Sequence, residues 1–393
     1  MNIGLALTGL GEHDKALAPL EMCHRATPGH IETICGLGEV SFVLGRMPRA
    51  QQYYREALAL DANCAEAHFG LANIALLQGD MAAGWEGYEW RTRLPRTTQD
   101  YNVPELRWAG ERLNGKTLLV NAEQGFGDIL MFARFLSRIS QPDATVVFRC
   151  HSALVRLLRD IPGLNRVVDA QAGEVVTAEV SIPLLSLGRV LGIGLADLPG
   201  PVAYLRAPPN LAETWRARLA GDKRIRVGLA WGGNPLRTHE RGRIPPVEDY
   251  RALAAVTGVT FYNLQLGFSE DKIACFPVPL IDLASGIADF ADTAALVDNL
   301  DLVISVDTSV AHLSGAMGKP TWVLHPGIPD WRWEIAGRES SWYPTVRLFR
   351  CCDGSSAPWP RLPALCAGCH IHAEIVSVRK RGISAMDIKL VEG

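Results

Sequence analysis

The chain has 393 residues, enough for two or three domains, and hydrophobic residues make up 48% of it, which allows sizeable buried cores. Its formal net charge of −3 gives no overall basic field for nucleic acid or an anionic membrane, and no apolar run approaches the roughly 20 residues of a transmembrane helix. The N-terminus lacks the features of a signal peptide, and nine scattered cysteines fit free thiols in a reducing compartment, so we expect a cytoplasmic protein.

Residues 1–93 contain an internal repeat. Gly11, Gly45 and Gly79 recur at a spacing of 34 residues, with small residues at matching positions after each of them. This period resembles tetratricopeptide repeats, in which each unit is a helix pair with glycine in its turn; another array of helical hairpins is the alternative. The first unit lacks most of its leading helix, so either the natural chain starts here or the sequence is truncated. Such arrays usually present a concave surface, and we expect a protein or peptide partner.

Residues 94–115 lose this period. Their polar composition and two prolines predict a connector between the repeats and the rest of the chain.

The segment 116–210 alternates predicted strands and helices, which indicates a doubly wound parallel sheet. Its first strand, Thr117 to Asn121, precedes a turn in which Gly125 and Gly127 allow close approach of the backbone to a ligand. Asp128 follows in the first turn of a helix that we expect to reach Ile139. Asp is an ordinary N-cap residue, and the third glycine of a dinucleotide fingerprint is absent, which argues against NAD.

A proline-rich segment over 196–212 is predicted to link this unit to a second one at 222–350. The first strand of that second unit, Arg226 to Trp231, leads into a polar loop that is rich in arginine. Arginine forks match phosphate oxygens, so the loop could neutralise a diphosphate; a solvated loop is the alternative. The candidates at this strand end and the next are Gly232, Asn234, Arg237, Arg241 and Gln265.

The most informative stretch runs from Leu300 to Trp333. A buried strand over Leu302 to Val306 is predicted to lead into a short helix over Val310 to Met317. Polar residues between a strand's carboxyl end and a helix's amino end mark the usual ligand position of open α/β sheets, where free N–H groups favour phosphate. The polar residues here are Asp307, Thr308 and Ser309, and His312 lies one turn further on the face of Ser309.

The segment DTSVAHLSGAMGKPTWVL, and its extension to HPGIPDWRW, resembles the nucleotide-sugar-binding segment of the ADP-heptose heptosyltransferases, glycosyltransferase family 9. It is most similar to bacterial relatives that carry tetratricopeptide repeats. The resemblance spans roughly residues 1–350, and besides this segment it is good over 116–136. It implies a GT-B fold, with an acceptor-side domain at 116–210 and a nucleotide-sugar-binding domain at 222–350.

The resemblance also implies roles for individual residues. Asp128 matches a carboxylate proposed as the catalytic base of the family. Asp307 would bind sugar hydroxyls, while Thr308, Ser309 and His312 would hold the diphosphate, although His312 could equally be a core histidine. Trp331 and Trp333 would stack on the base or the acceptor, unless they are ordinary packing residues. Gly125 and Gly127 would line the same cleft.

Residues 351–393 depart from the family pattern, because the closing helix of GT-B proteins is not recognisable there. The motif CAGCH, with Cys366, Cys369 and His370, formally matches a haem c attachment site, which would require export. A zinc site and a divergent tail are the other interpretations. Absence of the closing helix would put domain closure and activity in doubt.

These observations predict an α-helical repeat array followed by an α/β GT-B fold of two doubly wound Rossmann-like domains. The predicted function is transfer of a sugar from a nucleotide-sugar donor to a hydroxyl acceptor, with inversion, no metal and no cofactor beyond this co-substrate. The alternative is a non-catalytic interaction protein with a decayed transferase-like domain. A nucleotide-sugar epimerase is disfavoured, because that family lacks the repeats and the pattern from Val306 to Leu313.

Overall fold

The computed structural model describes residues 2–94, 106–139, 141–198, 200, 202–233, 245–267, 273–325 and 330–350. The loop with Asn234, Arg237 and Arg241 lies outside the described residues, as does the tail at 351–393. The predictions made for those positions therefore remain predictions.

Residues 2–88 form three consecutive helical hairpins. Gly11, Gly45 and Gly79 lie in the turns of these hairpins with φ of 75°, 74° and 81°, a left-handed conformation that glycine adopts without steric cost. The 34-residue period of the sequence therefore corresponds to one helix pair. The six helices are α1 (Asn2–Gly9), α2 (His13–Ala26), α3 (Ile31–Val43), α4 (Met47–Leu60), α5 (Ala65–Leu77) and α6 (Met81–Tyr88).

Small residues let the helices of the array approach closely, both within a hairpin and between neighbouring hairpins. The ring of Tyr54 fills the space that side chains at Gly38 and Gly70 would occupy, because a Cβ at either position would lie 2.6 or 2.3 Å from ring atoms. Ala16 and Ala50, at equivalent positions of two repeats, are fully buried. A 3-10 helix, Glu89–Arg93, continues α6 toward the rest of the molecule.

Within the described residues, five parallel strands form the first sheet in the order β1-β5-β2-β3-β4. The predicted connector contributes its edge strand β1, which pairs with β5, so part of the segment at 94–115 belongs to the sheet. The sequence did not indicate this strand, because two residues carry no usable period. The strands are β1 (Leu106–Arg107), β2 (Thr117–Asn121), β3 (Thr145–Cys150), β4 (Arg166–Asp169) and β5 (Val180–Pro183).

The second sheet has six described parallel strands in the order β11-β10-β9-β6-β7-β8. From β6 the chain runs outward to β8 and then returns to β9 on the other side, which is the order of a doubly wound sheet. The strands are β6 (Ile225–Ala230), β7 (Val259–Asn263), β8 (Leu280–Asp282), β9 (Leu302–Val306), β10 (Thr321–His325) and β11 (Val346–Arg350).

The helices of the two α/β units differ from the predictions mainly at their ends. The helix predicted to reach Ile139 ends at Phe132 and continues as a 3-10 helix over Ala133–Arg138. The predicted linker at 196–212 already contains the start of a helix at Pro209, because proline suits the first helical turn. The helices are α7 (Phe126–Phe132), α8 (Ser152–Leu158), α9 (Leu187–Val190), α10 (Pro209–Leu219), α11 (Phe290–Asp298) and α12 (Ser309–Ala316).

The third hairpin of the array shares one hydrophobic core with both α/β units. Trp85 of α6 donates a hydrogen bond of 2.7 Å from Nε1 to the carbonyl of Ile193, and its ring packs edge-on against Trp331. Helix α5 also packs against the 3-10 helix Trp331–Trp333. The third hairpin is therefore part of the α/β body.

No helix among the described residues is long and apolar enough to cross a membrane.

Candidate functional site

The two α/β units meet where helices α7 and α12 begin. These helices start at the carboxyl ends of β2 and β9, which flank the points where the strand order of each sheet reverses. Ligands of doubly wound sheets bind at such points. The helices pack against each other so closely that a Cβ at Gly127 would lie 2.7 Å from Cδ2 of His312. The structure therefore brings the two predicted halves of the site together.

Asp128 has two partners in this interface. Its Oδ2 accepts a hydrogen bond of 3.1 Å from the N–H of Gly125, which is the helix-capping arrangement expected from its position. Its Oδ1 accepts a hydrogen bond from Nη2 of Arg332, a residue of the second α/β unit. The side chain of Asp128 is 17% exposed. Asp128 is thus an N-terminal helix residue and one half of an ion pair between the units.

Arg332 is enclosed by groups that favour its charge. In addition to its bond with Asp128, the guanidinium donates a hydrogen bond of 2.5 Å to Oδ1 of Asp330. It also lies 4.3 Å from the ring centre of Trp331. Burial lowers the pKa of Arg332, but the two carboxylates outweigh it and raise that pKa above its usual range. Arg332 therefore stays a cation beside the carboxylate of Asp128.

The start of α12 offers backbone donors. Asp307, Thr308 and Ser309 are half-buried, and the N-cap Thr308 makes no side-chain capping bond to the helix. Its hydroxyl lies 3.1 Å from Oγ of Ser305 instead. The first N–H groups of a helix have no partner within the helix, and the helix dipole favours an anion beside them. This end of α12 therefore suits a phosphate group.

His312 is buried and fixed between the two units. Its Nδ1 lies 2.9 Å from the hydroxyl of Tyr343, and its Nε2 lies 3.7 Å from Oδ1 of Asp307. Its ring also stacks on Trp333 at 4.8 Å between centroids. Its Nε2 therefore lies near the carboxylate of Asp307 but beyond hydrogen-bond distance. This packing agrees with the core-histidine interpretation, and a contact with phosphate stays a prediction.

Gly232 and Gln265 are joined to each other. The side-chain Oε1 of Gln265 accepts a hydrogen bond of 2.8 Å from the N–H of Gly232, and both residues are buried. This bond ties the loop after β6 to the loop after β7. A donor role for either residue stays a prediction, because their present contacts are structural.

A pocket of about 810 Å³ opens beside Gln265, at the carboxyl ends of β7 and β8. Its wall combines apolar side chains with the polar side chains of Gln265, Asp282 and Ser285. Besides Gln265, the residues that line it include Gly267, Phe276, Val278, Leu280, Asp282 and Ser285.

Trp331 and Trp333 lie in the core. Trp331 is 4% exposed and Trp333 is fully buried, and both pack against other aromatic rings. The structure therefore gives neither indole an open face on which a ligand could stack. Their predicted acceptor contact has no support in their placement.

The residues that connect Asp128 to its surroundings were not predicted from the sequence. Arg332 stands between the two candidate tryptophans, and a cation flanked by aromatic residues was the signal that pointed to it. Neither Glu123 nor Arg91 gave a signal, because their burial and pairing depend on tertiary contacts. Among the described residues, no group of three or more His, Cys, Asp or Glu side chains could hold a metal ion.

No protein-family model matches the chain. Protein FlbA of Caulobacter vibrioides is 31% identical over 317 residues, which cover 72% of this chain and 51% of FlbA. The chain thus spans about half the length of this curated relative.

The solved structures that resemble the chain include two glycosyltransferases with TM-scores below 0.5. For the ADP-heptose LPS heptosyltransferase II of E. coli the TM-score is 0.48 at 14% identity, covering 68% of this chain and 99% of that one. For the family 9 glycosyl transferase of Veillonella parvula it is 0.46 at 10% identity, covering 62% and 88%.

Proposed function

We propose that this protein is a glycosyltransferase of GT-B arrangement that moves a sugar from a nucleotide-sugar donor to a hydroxyl acceptor. The observation that carries the proposal is the contact between the first turns of α7 and α12. It places the carboxylate of Asp128 and the half-buried segment from Asp307 to Ser309 at one interface between two doubly wound sheets. The resemblance of the segment around Asp307 to glycosyltransferase family 9 supports the same function.

The proposed chemistry is a single displacement. Asp128 takes the proton of the acceptor hydroxyl, whose oxygen attacks the anomeric carbon while the bond from that carbon to the diphosphate oxygen breaks. The N–H groups at the start of α12 stabilise the negative charge on the departing diphosphate. One displacement inverts the anomeric configuration. We further propose that no metal takes part, since the sequence contains no D-x-D motif.

We assign the pocket beside Gln265 to the nucleotide part of the donor. It adjoins the loop after β7, and its lining offers Phe276 for a base and the polar side chains of Gln265, Asp282 and Ser285 for hydroxyl groups. The three hairpins are proposed to be tetratricopeptide repeats whose first two units bind a protein or peptide, because the third unit is packed into the α/β body.

A thermal-shift screen with ADP-, GDP-, UDP- and dTDP-sugars tests donor binding. A ligand that binds only the folded protein stabilises it by about 2.7 kcal/mol at a hundredfold excess over its Kd. We expect one nucleotide sugar to raise the Tm of the wild type and to have little effect on Asp307→Asn. Asp298→Asn is the matched control, since this carboxylate is 41% exposed and contacts only Lys319 among the described ion pairs.

A transfer assay with the bound donor then separates an enzyme from a binding protein. Formation of free nucleoside diphosphate together with a glycosylated acceptor supports the proposal. If no nucleotide sugar shifts the wild type at millimolar concentration, the proposal fails, and the interaction function of the repeats becomes the alternative to pursue.

A further inference from the structure

The last repeat hairpin contributes a buried cation to the first sheet of the α/β body. Arg91 lies in the 3-10 helix that follows α6, and its side chain is 1% exposed. Its Nε and Nη2 donate hydrogen bonds of 3.0 and 2.7 Å to the two carboxylate oxygens of Glu123. The side chain of Glu123 is 4% exposed. Such a two-point contact fixes the orientation of the carboxylate as well as its position.

Glu123 occupies the turn that presents Asp128. One of its oxygens also accepts a hydrogen bond of 2.8 Å from the N–H of Leu185, which anchors the turn to the end of β5. Gln124 follows with φ of 60°, a left-handed conformation that is unfavourable for a non-glycine residue. Gly125 comes next and donates its N–H to Asp128. A strained turn of this kind persists only where its surroundings hold it.

Tyr88 of α6 reaches the same turn from the array. Its hydroxyl donates a hydrogen bond of 3.4 Å to Oε1 of Gln124 and lies 3.5 Å from Nη2 of Arg332. Both contacts are long, but Tyr88 is 2% exposed and cannot move away easily. Tyr88 of the array therefore contacts Arg332, the partner of Asp128, and also Gln124 in the turn before Asp128.

We propose that the last repeat hairpin is a built-in part of the candidate site, and that Arg91 is a positioning residue that holds the strained turn of Asp128 through Glu123. The catalytic consequence rests on the proposed glycosyltransferase function, whereas the positioning of the turn does not. The last repeat unit thus sets the geometry of the proposed base, in addition to any docking by the first two units.

Hydrogen–deuterium exchange tests the positioning without any assay of activity. In full-length Arg91→Gln we expect amides of the turn and the start of α7, over 122–130, to exchange about tenfold faster than in the wild type. Glu123→Gln, which keeps the size of the side chain, should have the same effect in the same peptide. Arg91→Lys keeps the charge without the two-point contact and should fall between Arg91→Gln and the wild type.

Arg107→Gln is the matched control. Arg107 contacts Glu89 and Ser186, as Arg91 does, but among the described contacts it makes none to Glu123. We expect exchange over 122–130 to be unchanged in this variant. If Arg107→Gln loosens the turn as much as Arg91→Gln, or if folded Arg91→Gln and Glu123→Gln both leave it protected, the positioning role is wrong.

Should Arg91→Gln fail to fold, Glu123→Gln and Arg91→Lys decide the question with the same peptide. With an active preparation, we expect Arg91→Gln to lower kcat about tenfold or more while the KM for the donor stays unchanged, because only the base is displaced. A loosened turn in a protein that transfers no sugar would support the positioning role and refute the proposed function, so the two failures are distinguishable.

Discussion

Asp128 and Arg332 form an ion pair that joins the two α/β units of the molecule. Each has a second partner in its own unit, the N–H of Gly125 for Asp128 and the carboxylate of Asp330 for Arg332. The pair therefore links the helix start after β2 to the 3-10 helix after β10. A carboxylate in this position has a capping role and an interface role, and both must be separated from catalysis by experiment.

Asp128→Asn is expected to abolish most turnover while donor binding is kept, and to lower stability because the charge opposite Arg332 is lost. The amide oxygen of Asn can still accept the hydrogen bond from Gly125, so the helix cap is kept, but it cannot take a proton from the acceptor. Loss of a general base lowers rates by about 10²–10⁴. Asp128→Ala removes cap and base together and is the comparison. Full turnover in Asp128→Asn would contradict a base at this position.

Arg332→Gln is expected to destabilise the protein through the interface between the units. Removing one partner of a largely buried pair leaves the other charge uncompensated, which typically costs about 3–5 kcal/mol. The measurement is urea unfolding of the wild type, Asp128→Asn, Arg332→Gln and the double variant. We expect the double variant to be less destabilised than the sum of the single ones, with a coupling of about 0.5–3 kcal/mol. Additive effects would mean that the contact contributes nothing to stability.

Much of the framework was readable from local sequence. The strands Thr117–Asn121 and Leu302–Val306 have the predicted bounds, because short apolar runs between polar turns specify buried parallel strands. The glycine period was equally informative, since only glycine adopts the left-handed turn conformation readily at Gly11, Gly45 and Gly79. These signals depend on neighbours within a few residues or on a fixed period.

The contacts between side chains of the site could not be predicted from local sequence. Arg91 and Glu123 lie 32 positions apart, and Arg332 and Asp128 lie 204 apart. Local periodicity does not indicate either pairing, because both pairings depend on how the units pack against each other. The left-handed Gln124 is also unpredictable, since glutamine rarely adopts that conformation. The burial of Trp331 and Trp333 has the same origin, because aromatic residues suit ligand surfaces and cores equally well.

Gly127→Ala is expected to disturb the contact between α7 and α12. The new Cβ would lie 2.7 Å from Cδ2 of His312, whose ring is held by Trp333 and Tyr343 and cannot easily move. Overpacking of this kind costs about 1–3 kcal/mol. Chemical unfolding should therefore show a lower midpoint than in the wild type. Gly221→Ala is the control, because a Cβ there meets nothing within 4 Å. Equal stability of the two variants would mean that the helices separate without cost.

Glu89 is expected to make the junction between the repeats and the first sheet sensitive to acid. Burial tends to raise the pKa of Glu89, but its hydrogen bonds and the charges of Arg91 and Arg107 outweigh this and lower the pKa below its ordinary value. A carboxyl group with a lowered pKa in the folded state stabilises the protein above its unfolded pKa. That stabilisation disappears as the pH falls through the folded pKa.

Urea unfolding of the wild type and Glu89→Gln between about pH 7 and pH 3 tests this expectation. The wild type should be the more stable protein at neutral pH, and the difference should shrink as the pH falls below about 4.5, where the unfolded carboxyl becomes protonated. Glu213→Gln is the control, because that side chain is 68% exposed and pairs only with Arg216 among the described ion pairs. It should show almost no difference at any pH. A constant gap between wild type and Glu89→Gln would mean that the contribution of Glu89 comes from packing, because a charge contribution must vanish on protonation.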